Sequence, residues 1–380
     1  MSEYQYYEFQ ALDRPLTQEQ ISRLRAYSSR ARITPSSFVN EYNWGDFKGD
    51  ERQWMEQYFD AFLYFANWGS RRFMLRLPKK LLDPKTAASY CADQNFSCHQ
   101  KDEHIVLSFE SELEDYEWDE GGSWLASLVA LRSDLMRGDY RALYIGWLLA
   151  VQFQEIPDDA PEPPVPPGLG KLNAALDCLA DFLGIDADLI ATAAERSPEQ
   201  QVSTPSRKEI GDWVRTLPSA EKDAIVVRLI EGDDPHLSAE VRQRAIFEIS
   251  GRRSDERLGR TAGEILARAE IIAAERKKKE AERRVREKAV RERAEAEARK
   301  KRLESLAGKE NELWATVDRL IATKQPRRYD EAVSLLQDLH DLAELQGRGR
   351  DFKSRMDALE RRNSGKSTLM ERFRKAQLLG

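Results

Sequence analysis

Residues 276–302 read Arg276-Lys-Lys-Lys-Glu-Ala-Glu-Arg-Arg-Val-Arg-Glu-Lys-Ala-Val-Arg-Glu-Arg-Ala-Glu-Ala-Glu-Ala-Arg-Lys-Lys-Arg302, and they decide how the chain is organised. The stretch from about Glu275 to Leu306 has almost no apolar side chains, so it cannot build a core. Its charges are nevertheless spaced for a helix. Glu275→Lys279, Glu280→Arg284, Glu282→Arg286, Glu287→Arg291, Glu295→Arg299 and Glu297→Lys301 each place an acid four residues before a base. Each such pair supports a helix by about 0.3–0.5 kcal/mol. The rival reading is a coiled coil. Its best seam puts Val285, Glu292 and Arg299 at a positions and Ala289, Ala296 and Leu303 at d. Charges at two of three a positions make that seam poor. The expectation is a solitary charged helix of about 30 residues, roughly 45 Å long, separating what lies on either side.

Outward from that helix, the chain is asymmetric in charge. Residues 1–275 sum to −16 and residues 276–380 to +10, which together make the net −6 of all 380 residues. The length suits two or three domains, and 41% apolar residues suffice for ordinary cores. Three cysteines, Cys91, Cys98 and Cys178, argue against a disulfide scaffold and for a reducing compartment. The first residues carry no basic, apolar signal pattern. The longest apolar run, around Ala142–Phe153, is too short to span a bilayer. A cytoplasmic protein is expected.

The front alternates strand and helix signals. Tyr4–Leu12, Arg72–Pro78 and His104–Phe109 read as strands, and Ile33–Tyr42 as extended. Thr17 opens a helix with capping-box character, Glu51 to about Ala66 reads as one helix, and Pro84–Tyr90 as a short one. Trp124–Met136 and Tyr140–Phe153 are expected as helices closing the domain. The fold class is therefore α+β: an N-terminal open α/β sandwich, split-βαβ-like, then an all-α remainder with the long charged helix and a C-terminal helical bundle. The proposed divisions are 1–155, an α/β recognition domain; 156–170, a Pro-rich linker; 171–255, a helical bundle; 261–307, the charged helix; and 309–380, a C-terminal helical domain. Apolar faces at Ile210/Trp213/Val214/Leu217 and at Ile225/Val226/Leu229/Ile230 are read as inward. Tyr329–Leu336 resembles one helix of a tetratricopeptide unit, but a single copy makes no solenoid.

Chemistry is sparse. Ser364-Gly-Lys-Ser-Thr has the ending of a phosphate loop, yet Glu360 stands where its first glycine belongs, and a helix cap at Ser364 is the simpler account. Cys91, Cys98, His99 and His104 match no familiar zinc spacing. Asp186-x-Asp188 and Asp233-Asp234-Pro-His236 read as helix-start carboxylates rather than cation ligands. No catalytic residue, metal site or cofactor is assigned. The interesting residues are two repeated tripeptides, Asn43-Trp44-Gly45 and Asn67-Trp68-Gly69, because tryptophans beside loop glycines are ingredients of recognition surfaces. Trp44, Phe47, Lys48, Trp68, Arg71 and Arg72 are the candidate partner-binding residues. Tyr116 and Trp118 join them from the run Glu110–Glu120, which holds seven acids and no base. On the charged helix, Lys277, Lys278, Lys279, Arg283, Arg284, Lys300, Lys301 and Arg302 are candidates for phosphate contact, tempered by interleaved glutamates.

Tyr7–Leu16, Ser37–Asp50, Tyr64–Gly69 and the Pro163–Gly170 segment together resemble a family of uncharacterised bacterial proteins. The resemblance covers most of the chain and implies no transferable catalytic residue. It implies a protein partner, with relatives accompanying SWIM-type zinc-finger proteins. A non-catalytic cytoplasmic adaptor or scaffold is the expectation, with a nucleic-acid-associated protein as the alternative.

Overall fold

A computed structural model describes residues 3–113, 124–199, 205–250 and 259–378. The chain forms two compact units, Met1–Arg276 and Lys277–Gly380. The α+β class holds: an antiparallel sheet comes first and helices follow.

The first unit begins with β1 (Gln5–Gln10), α1 (Gln18–Tyr27), β2 (Arg32–Thr34), β3 (Ser37–Tyr42), α2 (Glu51–Gln57), β4 (Ala61–Ala66), β5 (Ser70–Pro78), α3 (Pro84–Ala88), β6 (Phe96–Lys101) and β7 (His104–Glu112). The strand order is β2-β3-β1-β4-β5-β7-β6, and every neighbouring pair is antiparallel. Because β3 and β4 both run opposite to β1 between them, they are parallel to each other and joined through α2. In the same way β5 and β6 flank β7 and are joined through α3. The split-βαβ pattern therefore occurs twice in one sheet.

The span from Glu51 to Ala66 departs from the expected single helix. Asp50 caps α2, which ends at Gln57, and β4 follows three residues later. The break is set by Asp60, a buried carboxylate that accepts the amides of Leu12 (2.7 Å) and Asp13 (2.9 Å) and the Arg76 guanidinium (2.8 Å). Beyond it Ala61–Ala66 pairs with β1 and Ala61–Phe65 also with β5, so the backbone finds its hydrogen bonds in the sheet. β6, which carries Cys98 and His99, pairs with β7.

Strand alternation sends Leu63, Phe65, Phe73, Leu75, Leu107 and Phe109 to one face. That face is covered by α4 (Trp124–Leu128), α5 (Ala130–Met136), α6 (Arg141–Gln152), α7 (Ala174–Leu183) and α8 (Ala187–Ala194). α6 is buried on nearly all sides, and it lies so close to the sheet that a Cβ at Gly146 would sit 2.6 Å from the Phe96 ring. The opposite face carries Tyr7, Phe9, Phe38, Trp54, Phe59 and Phe62 in one aromatic core.

Residues 156–170, expected as a linker, are strapped to this unit. Tyr90 donates to the Pro164 carbonyl (2.7 Å), Ser197 to that of Pro166 (2.7 Å), and Pro161 bridges Thr261. Glu162 is buried against Arg260 (2.8 Å) and accepts the Tyr144 hydroxyl. α9 (Arg207–Thr216), α10 (Ser219–Glu231) and α11 (Leu237–Ser250) follow. α12 runs without interruption from Ala262 to Leu306, 45 residues. Its residues 262–276 belong to the first unit, where Ala262 and Ile265 are buried. In the second unit, side chains from Lys277 to Ala298 are exposed, with only Glu280 and Ala289 half-exposed. That unit is completed by α13 (Glu310–Ala322), α14 (Pro326–Leu345), α15 (Gly349–Asn363) and α16 (Ser367–Lys375), around Val317, Leu336, Met356, Leu359 and Phe373. Among the described residues, no helix is long and apolar enough to cross a membrane.

Candidate docking end of the sheet

The two Asn-Trp-Gly tripeptides, 24 positions apart in the chain, leave the same end of the sheet. Register places Gln5 opposite Tyr42 on one side and opposite Ala66 on the other. The turn carrying Trp44 follows Tyr42, and the turn carrying Trp68 follows Ala66, so the two turns flank the start of β1, roughly 10 Å apart by two strand spacings. Ser70 at the start of β5 pairs with Glu112 at the close of β7, which brings the onset of the acidic run to this end too.

Both turns are pinned to β1. Gln5 is buried; its side-chain carbonyl accepts the Tyr7 hydroxyl (2.8 Å), and its amide donates to the Gly45 carbonyl (3.1 Å). Asn67 accepts the Tyr4 amide on its side chain (3.0 Å) and returns its own amide to the Tyr4 carbonyl. Gly69 takes φ +102°, and a Cβ there would meet the Leu113 carbonyl oxygen at 2.0 Å, so only glycine fits this turn. The indoles are open: Trp44 is 70% exposed and Trp68 49%. Arg30 lies over the Trp44 ring at 5.2 Å, and the Trp68 Nε1 donates to Ser70 Oγ (2.8 Å). Rigid turns presenting large aromatic faces can bury much area on a partner at little entropic cost.

The other candidates divide. Lys48 is exposed. Phe47 folds back among Tyr7, Phe9, Phe38 and Trp54, as part of the aromatic core. Arg71 is buried, donates to the carbonyls of Asp181 and Phe182, and lies over the rings of Trp124 and Phe182. Those placements give Phe47 and Arg71 roles in packing their own unit. Arg72 is half-buried between Glu51 (3.4 Å) and Glu110 (3.0 Å), so it ties α2 to the sheet. Tyr116 and Trp118 lie outside the described residues.

The phosphate-contact candidates lie along α12. Lys277, Lys278 and Lys279 are exposed. Arg284 pairs with Glu280 (2.8 Å), Lys301 with Glu297 (2.9 Å) and Arg302 with Asp338 (2.5 Å). Arg283 and Lys300 approach Glu287 and Glu304 at 3.7 and 3.9 Å. Of the six acid-before-base pairs read from the sequence, Glu280–Arg284 and Glu297–Lys301 appear. Glu295 is taken by Arg291 instead (2.7 Å), while Arg299 turns to Asp341.

A second feature escaped sequence reasoning. A cleft of about 660 Å³ is lined by Asp13, Arg76, Lys80, His104, Asp234 and His236, among others. Burial alone would raise the Asp13 carboxyl, but hydrogen bonds from His236 (2.9 Å) and Arg132 (2.6 Å) hold it well below the usual carboxylate range. Burial and the Arg76 charge push His104 down. Asp234, read as a helix-start acid, caps the His236 amide and also binds Lys80 (2.5 Å) and Arg228 (2.7 Å). These groups largely satisfy one another and clamp the start of α11 to the sheet. The soft residues diverge: Cys98 meets Cys91, whose thiol is held well above its usual range by that neighbour and by burial. His99, the next residue on the strand, points to the opposite face and reaches Glu56 (3.1 Å). Among the described residues no group of three or more His, Cys, Asp or Glu side chains converges to hold a metal. Lys366 of the phosphate-loop-like tail donates to the Ile321 carbonyl (3.2 Å) and Asn363 (2.8 Å), and Ser364 ends α15.

In comparisons with known proteins, no protein-family model, no curated protein and no solved structure matches this chain.

Proposed function

We propose that this protein is a non-catalytic cytoplasmic adaptor that grips a protein partner with the Trp44–Trp68 end of its front sheet. The observation that carries the reading is the convergence of the two exposed indoles on turns anchored by Tyr4, Gln5 and Gly69. A tryptophan that only plugs its own core is buried, as Trp54 of α2 is at 1% exposed. The test is affinity purification of the full chain from its native host, wild type beside the Trp44→Ala/Trp68→Ala variant, with mass spectrometry of what is retained. A stoichiometric protein lost from the variant, a SWIM-type zinc-finger protein being one candidate, supports the adaptor. Equal retention by both, or no stoichiometric partner, removes it.

The second reading is nucleic-acid association through α12 and the helices after it. It is favoured by the exposed Lys277–Lys279 cluster and opposed by the glutamates that occupy Arg284 and Lys301. Gel shifts with the full chain at about 50 mM and about 200 mM salt decide it, since phosphate contacts weaken steeply over that range.

A further inference from the structure

Part of the apolar face of α10 is covered by no other element among the described residues. Sequence periodicity sets Ile225, Val226, Leu229 and Ile230 together, and Ile225 does pack, half-buried, on Trp213, Leu217 and Ala245. The rest of the face is open: Val226 is 51%, Val227 52%, Leu229 65% and Ile230 79% exposed, and none of the helix's side chains is fully buried. Four aliphatic side chains exposed within two turns of one helix form a contiguous apolar patch, the mark of an interaction site.

The charges around that face say what it fits. Arg228 is neutralised by Asp234 (2.7 Å) and Glu240 (2.8 Å), while Lys222, which reaches the Arg215 carbonyl (3.4 Å), keeps one positive charge beside the face. The exposed acids Asp223, Glu231 and Asp233 set the rim. The surface is thus apolar at its centre and negative at its edge.

We propose that α10 docks a basic amphipathic helix of a partner protein. Apolar side chains of that helix at i, i+3/i+4 and i+7 spacing cover Val226, Val227, Leu229 and Ile230, and its Lys or Arg flanks face Asp223, Glu231 and Asp233. A second copy of this chain is a poorer occupant, because it would set the same acids against each other across the contact. The site is independent of the Trp44–Trp68 end, and either can fail without the other.

The probe is a labelled Leu/Lys amphipathic peptide of about 18 residues, long enough to hold a helix, titrated into the full-length protein at about 150 mM salt with anisotropy as readout. The same peptide with Glu for Lys is the control. The Leu/Lys peptide is expected to bind and the Leu/Glu peptide not to. Ile230→Asp and Leu229→Asp are each expected to weaken binding by about 10-fold or more. These variants make the protein more acidic, so an attachment by charge alone would strengthen; loss of binding isolates the apolar contact. Both positions are exposed, and circular dichroism checks that the variants fold. Asp223→Lys/Glu231→Lys is expected to weaken the Leu/Lys peptide as well. Equal binding of the two peptides overturns the proposal, as does unchanged binding by Ile230→Asp. A wild-type dimer in sedimentation that Ile230→Asp dissociates also overturns it, and makes a second copy the occupant.

Discussion

The proline segment at 156–168 and the charged stretch at 277–298 both look like spacers in the sequence, and the structure treats them oppositely. The first is fastened at almost every step: Glu162 to Arg260, Tyr90 to Pro164, Ser197 to Pro166, Gly263 to Asp158. The second is a regular helix whose side chains are exposed and whose ion pairs are mostly with its own neighbours. The difference teaches that a segment poor in intrinsic hydrogen-bond donors is not thereby free. Proline removes amides but leaves carbonyls, and a neighbouring domain can use each carbonyl as an acceptor. A charged helix satisfies its own backbone and asks nothing of the surroundings.

The comparison breaks hardest at Glu162–Arg260. Both side chains are nearly inaccessible, so Arg260→Ala leaves a buried carboxylate without its partner and is expected to cost about 3–5 kcal/mol of first-unit stability. Urea unfolding followed by tryptophan fluorescence measures it; a loss within experimental error would mean that the strap is ornamental. Alkali is the next lever. Burial, and then Glu162, raise the Tyr144 phenol above its ordinary value of 10.0, and burial raises Tyr90. Their contribution is whole below pH 10, where folded and unfolded phenols are both neutral. It is lost as pH rises beyond that, because the unfolded phenol ionises first, by about 1.4 kcal/mol per pH unit for each tyrosine. Unfolding midpoints that do not move between pH 9 and about 11 would contradict the fastening role of these hydroxyls. The smallest effect belongs to the charged helix. Glu280→Ala removes an exposed i,i+4 partner of Arg284 and is expected to change stability by no more than about 0.5 kcal/mol, less again in about 1 M salt. A change several times larger, by circular dichroism melting, would show that α12 leans on contacts beyond its own surface pairs.

Legibility followed how local each signal was. Capping at Thr17, the strands at Tyr4–Leu12, Arg72–Pro78 and His104–Phe109, and the apolar helix at Ala142–Phe153 were readable because each is written in adjacent residues. Glu51–Ala66 reads as one helix because Trp54, Tyr58, Phe59, Phe62 and Leu63 fit a broad helical face, while Ala61–Ala66 is buried on both faces of the sheet and so shows no polar alternation to mark a strand. What separates helix from strand is Asp60, whose partners lie at Leu12, Asp13 and Arg76. Of the candidate docking residues, Trp44 and Trp68 stand in the open, whereas Phe47 and Arg71 went inward to rings and carbonyls far along the chain. The cleft at Asp13 and His236 brings together residues more than two hundred positions apart, and no local pattern announces it.

By itself the sequence determined the α+β class, the helical charged stretch and the two glycine-backed tryptophan turns, since propensity, period and turn chemistry act over a few residues. Tertiary structure alone decided that the proline segment is held down, that both tryptophan turns share one end of the sheet, and that Val226, Val227, Leu229 and Ile230 of α10 stay exposed. Each of these depends on which distant strand or carbonyl is near, and that proximity is created only when the chain closes on itself.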